Sequence, residues 1–500
     1  MSSLKKVAKG GLLLLFGDGL SVFWSYLFLM LASRLLGPDL LGSYYWAAAI
    51  VILLAQIAMV GLSQALDYFV PIYEARQSNS SRALLSFAVI IVSLFSTLFS
   101  VLLFIFAFQI CQSFHRPGLV LLLRLFSLAM PGVALWPIFS RYMIARFDVL
   151  PSVIIEDVIK GVVRIITLLI IIAFGAKYFA LVGADLALFM TLVILAIVYI
   201  AKKYRFGDPG LIDMAEKKRI LLYSLPFIGF YLFRIDGLFS MLLAYFLEMS
   251  DVAVFNVALR IALLGSYLYV ALITMFSPVT SKLIVENKWQ ELRRNFRSIT
   301  RWLIIGSLPV LCLTVMYPGA WLGLFGPEFT RGSLCLVILA IGLFSNYATS
   351  ANSVIITMSG RTWLNLSYLF MQALLALTIG LLLVPRYGLN GGAVAFTLGV
   401  IFVNSIRLFK SWRIVGSGPY SWYLLKPLAA AIFASLLVGL FFRLGTQLSS
   451  GQLILTAVVY LALYSVLIIL FGITKEDEEL LKEAYVKFRP EWLGSQRYYG

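Results

Sequence analysis

The side chains able to do chemistry in this 500-residue chain are ionised groups set inside long apolar runs. Seven stand out: the cations Arg124, Lys160, Arg164, Arg234 and Arg260, and the anions Asp18 and Asp236. A charge at the centre of a membrane-spanning helix costs about 2.5–3.5 kcal/mol on insertion scales, so such a residue must face protein or a wet space. Arg234 and Asp236 share the stretch "PFIGFYLFRIDGLFSMLLAYFL" (226–247). Two residues apart on a continuous helix, they do not share a face, and each is expected to find its partner or ligand elsewhere. Lys160 and Arg164, in "EDVIKGVVRI", are four apart on one face, with Glu156 one turn earlier to offset one charge. Like charges at that spacing repel. Asp18 lies in "LFGDGLS", between Gly17 and Gly19, which permit close backbone approach or a break in the helix. The balance of five cations to two anions is what an anionic ligand requires. The alternative for each residue is an internal salt bridge that holds helices in register. Lys160 and Arg164 have a third option, snorkelling to the interface.

These residues must be positioned by membrane helices. The chain is 61% hydrophobic and 13% charged, against roughly 45–50% and about 25% in soluble globular proteins. A spanning helix needs roughly 20 apolar residues, and fourteen such runs are legible. They begin near residues 11, 40, 82, 118, 152, 178, 220, 253, 300, 332, 363, 389, 424 and 452. Runs such as "LLSFAVIIVSLFSTLFSVLLFIF" show no two-residue alternation, which excludes a transmembrane β-barrel. The fold class is therefore an all-α polytopic membrane protein. The first run, Gly11 to Leu36, is too long for a signal-peptide core and is expected to be retained.

The net charge of +17 belongs to the loops, not to nucleic acid binding. With the N-terminus inside, 29 of the 40 lysines and arginines fall on the inner side, 6 on the outer side and 5 within spans. That bias predicts a cell membrane protein with both termini cytoplasmic. The longest basic inner loops are 202–219 and 282–301, and the first contains the turn signal Gly-Asp-Pro-Gly. The expected division is a six-helix lobe over 1–201, a cytoplasmic linker over 202–219, a second lobe over 220–413, two further spans over 414–472 and a tail over 473–500. Residues 28–50 align without gaps to 239–261, an internal repeat that supports two lobes of the same orientation. In the tail, Thr474 and Asp477 have capping-box spacing, followed by Leu480, Leu481, Ala484, Tyr485 and Phe488, an amphipathic helix for the cytoplasmic surface.

Other polar and aromatic residues read as structural. Tyr44, Tyr45, Trp46, Trp321 and Trp422 are expected in the interfacial aromatic belt. Gln56, Gln64, Asn346 and Asn352 are expected to make interhelical hydrogen bonds. Cys111, Cys312 and Cys335 are scattered, and His115 is the single histidine. No catalytic cluster, metal site or cofactor is expected.

Four stretches carry a resemblance: "ASRLLGPDLLGSYYWAAAIVILLAQIAMVGLSQALDYFVPIYEA" (32–75), "VFNVALRIALLGSYLYVALITMFSPVTSKL" (254–283), "LGLFGPEFTRG" (322–332) and "VPRYGLNGGAVAFTLGVIFVNSIRLF" (384–409). Together they resemble the polysaccharide and oligosaccharide flippases, Wzx-type O-antigen flippases among them, of the multidrug/oligosaccharidyl-lipid/polysaccharide (MOP) exporter superfamily. The resemblance implies two six-helix lobes in a V around a cavity, two C-terminal helices and alternating access. It implies a lipid-linked glycan on polyprenyl pyrophosphate as substrate. Arg234 and Arg260 then fall on cavity-lining spans and Asp18 on a third. Arg124, Lys160 and Arg164 complete the candidate cations, and Asp18 and Asp236 are the candidate coupling or cavity anions. The coupling ion, proton or sodium, stays open, as does a polysaccharide polymerase or assembly protein as a partner beside membrane lipids. The competing functions are a multidrug exporter or a lipid II-type flippase of the same superfamily. A membrane glycosyltransferase or polymerase is a third, lacking an acidic cluster or large outer loop here.

Overall fold

The structure, a computed structural model, describes residues 3–76, 80–204, 208, 212–442 and 448–471. Side chains are described from residue 17 onward, except at Tyr267, Leu268, Ala271, Thr274, Met275 and Pro278. The expected tail helix over 473–500 lies outside these residues, as do parts of the 202–219 segment.

The described chain is helical. In order the helices are α1 (Ser3–Ala58), α2 (Leu62–Ala75), α3 (Ser80–Ser113), α4 (Val120–Ser127), α5 (Met130–Ala145), α6 (Val149–Val153), α7 (Lys160–Ala173), α8 (Ala180–Lys203) and α9 (Met214–Leu232). They continue as α10 (Ile235–Phe246), α11 (Met249–Ala262), α12 (Ser266–Val285), α13 (Trp289–Met316), α14 (Pro318–Gly323), α15 (Ser333–Met358), α16 (Thr362–Val415), α17 (Leu425–Phe442) and α18 (Ser450–Leu470). Among the described residues, nine helices are long and apolar enough to cross a membrane, ten with the bent pair α9 and α10 taken as one span. Two of these are double spans. α1 breaks at Gly37 (φ 78°, ψ 174°) and α16 at Gly388 (φ 55°, ψ −134°). Gly37 adopts a conformation costly for any side chain, and Pro38 after it starts the next helix without needing its missing N–H. The interrupted segments α6–α7 and α11–α12 supply the rest, so each of the expected fourteen runs has a helical counterpart.

The packing is that of a lipid-embedded protein. On α8, Ala184, Leu188, Leu192, Ala196 and Ile200 are buried at four-residue spacing. On α3 the buried face is Ala88, Val92, Ser96, Ser100, Leu103, Ala107 and Cys111, while Leu94 is 63% and Ile105 55% exposed. Small residues let helices approach, and large apolar ones face outward because lipid, unlike water, imposes no cost on them.

The chain packs as two units. The first comprises Met1–Arg260, Leu322–Leu339 and Leu366–Gly399. Its buried anchors include Trp46, Phe126, Phe139, Tyr142, Phe239 and Phe255. The second comprises Ile261–Trp321, Ala340–Asn365 and Val400–Gly500. There α17 and α18 pack on α13 through Ala430, Ala434, Val438, Tyr460 and Leu308, and the Tyr464 hydroxyl donates to the Ile305 carbonyl at 2.9 Å.

Two expectations change. The stretch 282–301 is not a loop: α12 runs to Val285 and α13 begins at Trp289, so Arg293, Arg294, Arg297 and Arg301 ride on helix. The aromatic belt reading fails at Trp46, fully buried against the Phe114 ring at 5.4 Å, and at Tyr44, also buried. Trp422, 86% exposed, fits it.

Candidate functional site

The first unit gathers two charged groups. One forms where the seventh span breaks. α9 ends at Leu232 and α10 starts at Ile235, with a 43° bend between them. Arg234 sits in the break with extended backbone (φ −70°, ψ 114°). Released from helical geometry, its side chain turns onto Asp236: Nη2 lies 2.9 Å from Oδ2 and Nε donates to Oδ1 at 3.4 Å. The expectation that these two residues do not neutralise each other is thus corrected, because it assumed a continuous helix. The pair remains accessible, with 58% and 43% of its side-chain surface exposed. It therefore borders open space rather than packed core.

Arg260, on α11, joins this group. It is close enough to act electrostatically on the Asp236 carboxylate and on Tyr45. The Tyr26 hydroxyl donates to the Arg260 carbonyl. Nearby, the Gln64 amide donates to the Tyr231 hydroxyl, tying α2 to α9. Two guanidiniums around one carboxylate leave an excess positive charge facing open space.

The second group is built where α1 meets the fifth span. Between α6 and α7, residues Ile154–Ile159 form one wide π-type turn, a feature often found at functional positions. It presents Glu156 and Asp157 together. A Cβ at Gly17 would lie 2.2 Å from Asp157 Oδ2, so a glycine there lets the carboxylate sit against α1. Asp157 is within hydrogen-bonding reach of Ser21 and interacts with Asp18 and Glu156. Glu156 accepts from the Ser140 hydroxyl at 2.9 Å. Arg141, 3.4 Å from Asp67, acts on Asp18. Ser21, Trp24, Glu156, Asp157 and Lys160 line a cavity of about 10 Å³, the size of about one water.

Arg164, one turn beyond Lys160, is held in a closed triad. Its Nε lies 2.7 Å from Asp185 Oδ1, its Nη2 donates to the Tyr44 hydroxyl at 2.6 Å, and Tyr44 donates to Asp185 Oδ2 at 2.8 Å. The guanidinium stacks on Phe28 at 3.8 Å. The cation excess read at Lys160 and Arg164 is therefore reversed locally: Glu156, Asp157 and Asp185 outnumber them.

Arg124 stands apart from both groups. Its Nε donates to the Phe104 carbonyl at 3.2 Å and its guanidinium lies 5.2 Å from the Phe104 ring. Asp157, Asp185, Asp67 and Arg141 were not singled out from the sequence. Asp185 had a visible signal, an acid inside the apolar run "GADLALFM". In the second unit, Asn346 and Asn352 do make interhelical bonds, to Asn404 at 3.1 Å and Ser411 at 2.6 Å. The buried Arg407 donates to Asn404 at 3.2 Å. Among the described residues no group of His, Cys, Asp and Glu is arranged to hold a metal ion.

Comparisons with known proteins bear on this geometry. Curated proteins give no match. Among solved structures, the lipid II flippase MurJ in an inward closed conformation is 15% identical with a TM-score of 0.71, covering 93% of this chain and 98% of its own. An inward-facing multidrug resistance MATE transporter of the MOP superfamily is 17% identical with a TM-score of 0.66, covering 79% and 94%. A MOP superfamily transporter from Pyrococcus furiosus, described by the reverse polarity of its binding pocket, is 16% identical with a TM-score of 0.60, covering 82% and 96%. At these identities the likeness establishes the fold. Residues 7–284 match the family described as polysaccharide biosynthesis protein. That match spans more than half of the sequence: the chain belongs to the polysaccharide biosynthesis protein family and is a multi-pass membrane protein that shares the fold of these MOP superfamily structures.

Proposed function

We propose that the protein flips an oligosaccharide linked to polyprenyl pyrophosphate from the cytoplasmic to the outer leaflet of the cell membrane by alternating access. The observation that carries this reading is the broken seventh span. It leaves Arg234 beside Asp236 with Arg260 in electrostatic reach, accessible and within a bent pair of apolar helices. Pyrophosphate demands such cations, and a planar guanidinium offers it paired donors. Family membership supplies the glycan context. No bond is made or broken. The protein lowers the cost of carrying a charged, hydrated headgroup past hydrocarbon, while the polyprenyl tail stays in lipid.

The acidic group around Asp18 is the coupling element in this reading. Asp157 lines a water-sized cavity, and Asp18 is near enough to act on it electrostatically, so an acid here can bind and release a proton or sodium ion. Asp18→Asn should then abolish gradient-driven accumulation in proteoliposomes while downhill exchange persists. Unchanged gradient dependence in an active variant would eliminate the role.

The substrate is tested by mass spectrometry of lipids that co-purify with the protein. Flipping assays follow, with lipid-linked oligosaccharide, lipid II and an organic cation. Transport of the first supports the proposal. Transport of lipid II alone makes the protein a peptidoglycan-precursor flippase, and of the organic cation alone a drug exporter.

A further inference from the structure

A cleft of about 720 Å³ opens at the basic end of the second unit. Its lining combines polar residues, Arg361, Arg413 and Ser359, with apolar ones, Ile284, Trp289, Met358 and Ile414. It lies where apolar helices end: α12 at Val285, α15 at Met358 and α16 at Val415, with α13 beginning at Trp289. Trp363 and Trp412, 67% and 53% exposed, flank it. Exposed tryptophans at helix ends mark the headgroup level of a membrane.

The cations differ in their employment. Arg293 donates to the Val415 carbonyl at 2.8 Å and Arg297 to the Ser417 hydroxyl at 2.6 Å. These two hold the end of α16. Arg413 stacks on Phe409 at 4.4 Å, and among the described residues neither it nor Arg361 is in an ion pair. Arg361 is placed by backbone alone. Gly360 (φ 77°) closes α15, with Gly360 N–H donating to Thr357 at 3.0 Å and Arg361 N–H to Ile356 at 3.2 Å, the paired bonds of a glycine C-cap. The turn thus sets a cation at the rim without an anion to match it.

We propose that this cleft binds the phosphate headgroup of an anionic phospholipid from the leaflet on the basic side. Two guanidiniums fit a phosphate. The volume falls in the range of roughly 300–1,000 Å³ that holds small molecules, more than a lone phosphate fills. The apolar wall accommodates glycerol and the first acyl carbons. Basic pockets between helices on this side of a membrane take phosphate-bearing lipid headgroups. The site is independent of whatever is transported.

The test uses the full chain purified in phosphatidylcholine nanodiscs, with phosphatidylglycerol titrated in and bound lipid counted by native mass spectrometry. The wild type should retain phosphatidylglycerol over phosphatidylcholine. Arg361→Gln with Arg413→Gln should weaken that preference roughly thirtyfold, the combined effect expected of two basic residues near an anionic surface. Lys202→Gln with Lys218→Gln removes equal charge from the first unit and should change it little. Hydrogen exchange on the wild type gives a readout that needs no variant: phosphatidylglycerol should protect residues 356–363 and 410–416. Retained preference in the double arginine variant, equal loss in the lysine control, or no added protection would overturn the proposal. So would inorganic phosphate protecting these segments as well as the lipid does, which would make this a soluble-phosphate site.

Discussion

At the scale of single residues, the cations divide by what answers them. Arg234 and Arg260 share one accessible carboxylate, whereas Arg164 is enclosed by Asp185, Tyr44 and Phe28. The two kinds should fail differently. Arg234→Ala and Arg260→Ala should each cut flipping at least about tenfold, since a hydrogen bond to a charged group contributes about 1.5–3 kcal/mol. The protein should remain folded in the membrane. Lysine at either position should restore only part of the rate, because its single ammonium lacks the fork. Full transport by both alanine variants at normal abundance would remove these residues from the substrate path. Arg164→Ala, by contrast, leaves Asp185, with 4% of its side chain exposed, without its guanidinium. Removing one partner of a buried pair costs about 3–5 kcal/mol, so the melting temperature and yield should fall before any transport is measured. Replacing both, Arg164→Met with Asp185→Leu, should recover much of the stability. The sequence displayed Arg164 and Lys160 correctly as intramembrane charges on one face. It did not reveal the pairing, because Asp185 comes from a different helix and Tyr44 was read as an interfacial aromatic. Arg124 had the same sequence signature as Arg260. Only packing separates them: one meets the Phe104 carbonyl and ring, while the other lies within electrostatic reach of Tyr45 and Asp236.

At the scale of elements, what was legible followed from hydropathy, and what was not followed from breaks in helical geometry. Run length and the Gly37-Pro38 pair are enough to place the first hairpin. The gap between α9 and α10 contains no proline or glycine, only Phe233 and Arg234, so nothing local announces it. The same holds for the π-type turn that presents Glu156 with Asp157: its sequence, "IIEDVI", reads as ordinary helix. The basic stretch 282–301 reads as a loop by its charge, yet it spans the end of α12 and the first turns of α13. An element-level clamp is testable by pH. In the turn between α5 and α6, Asp148 Oδ2 accepts from Tyr199 at 2.6 Å, from Lys203 at 2.8 Å, and from Tyr204, all near the end of α8. Burial raises the Asp148 carboxyl, but these hydrogen bonds outweigh it and hold the group below its ordinary value of 3.8. A depressed carboxylate stabilises the fold fully above its unfolded value, and that stability is lost as pH falls through the folded value. Asp148→Asn should therefore melt several degrees below the wild type at about pH 7, and the gap should close below about pH 4 as the wild-type clamp protonates. A gap of the same size across that range would show that the clamp does not act through the carboxylate charge.

At the scale of the whole molecule, the charge distribution and the span count constrain each other. Each basic segment must fall on one side of the membrane for the lysine and arginine bias to hold, and a single missed or extra span would exchange the sides of everything after it. The structure supplies about fourteen crossing segments, two of them hidden in the double helices α1 and α16. An even number returns the chain to the side on which it began. Asp208, between α8 and α9, and Asn287, in the tight turn between α12 and α13 with φ 54°, are separated by one outer turn in this arrangement. Both should therefore be cytoplasmic. The measurement is labelling of single cysteines, Asp208→Cys and Asn287→Cys, by an impermeant thiol reagent in intact and in inverted vesicles. Cys111, Cys312 and Cys335 would first be replaced; Cys111 and Cys335 are buried and Cys312 half-buried, so small residues at these sites are the suitable choice. Asn287 tolerates positive φ better than most residues, and its cysteine variant should be checked for yield. Labelling of both positions only in inverted vesicles fits the basic face inside. Labelling of both only from outside would invert the protein and place Arg361 and Arg413 on the outer leaflet. Labelling on opposite sides would mean that the α9–α10 bend does not complete a crossing. The helix count, the orientation and the path past Arg234 would then all have to be redrawn from that break.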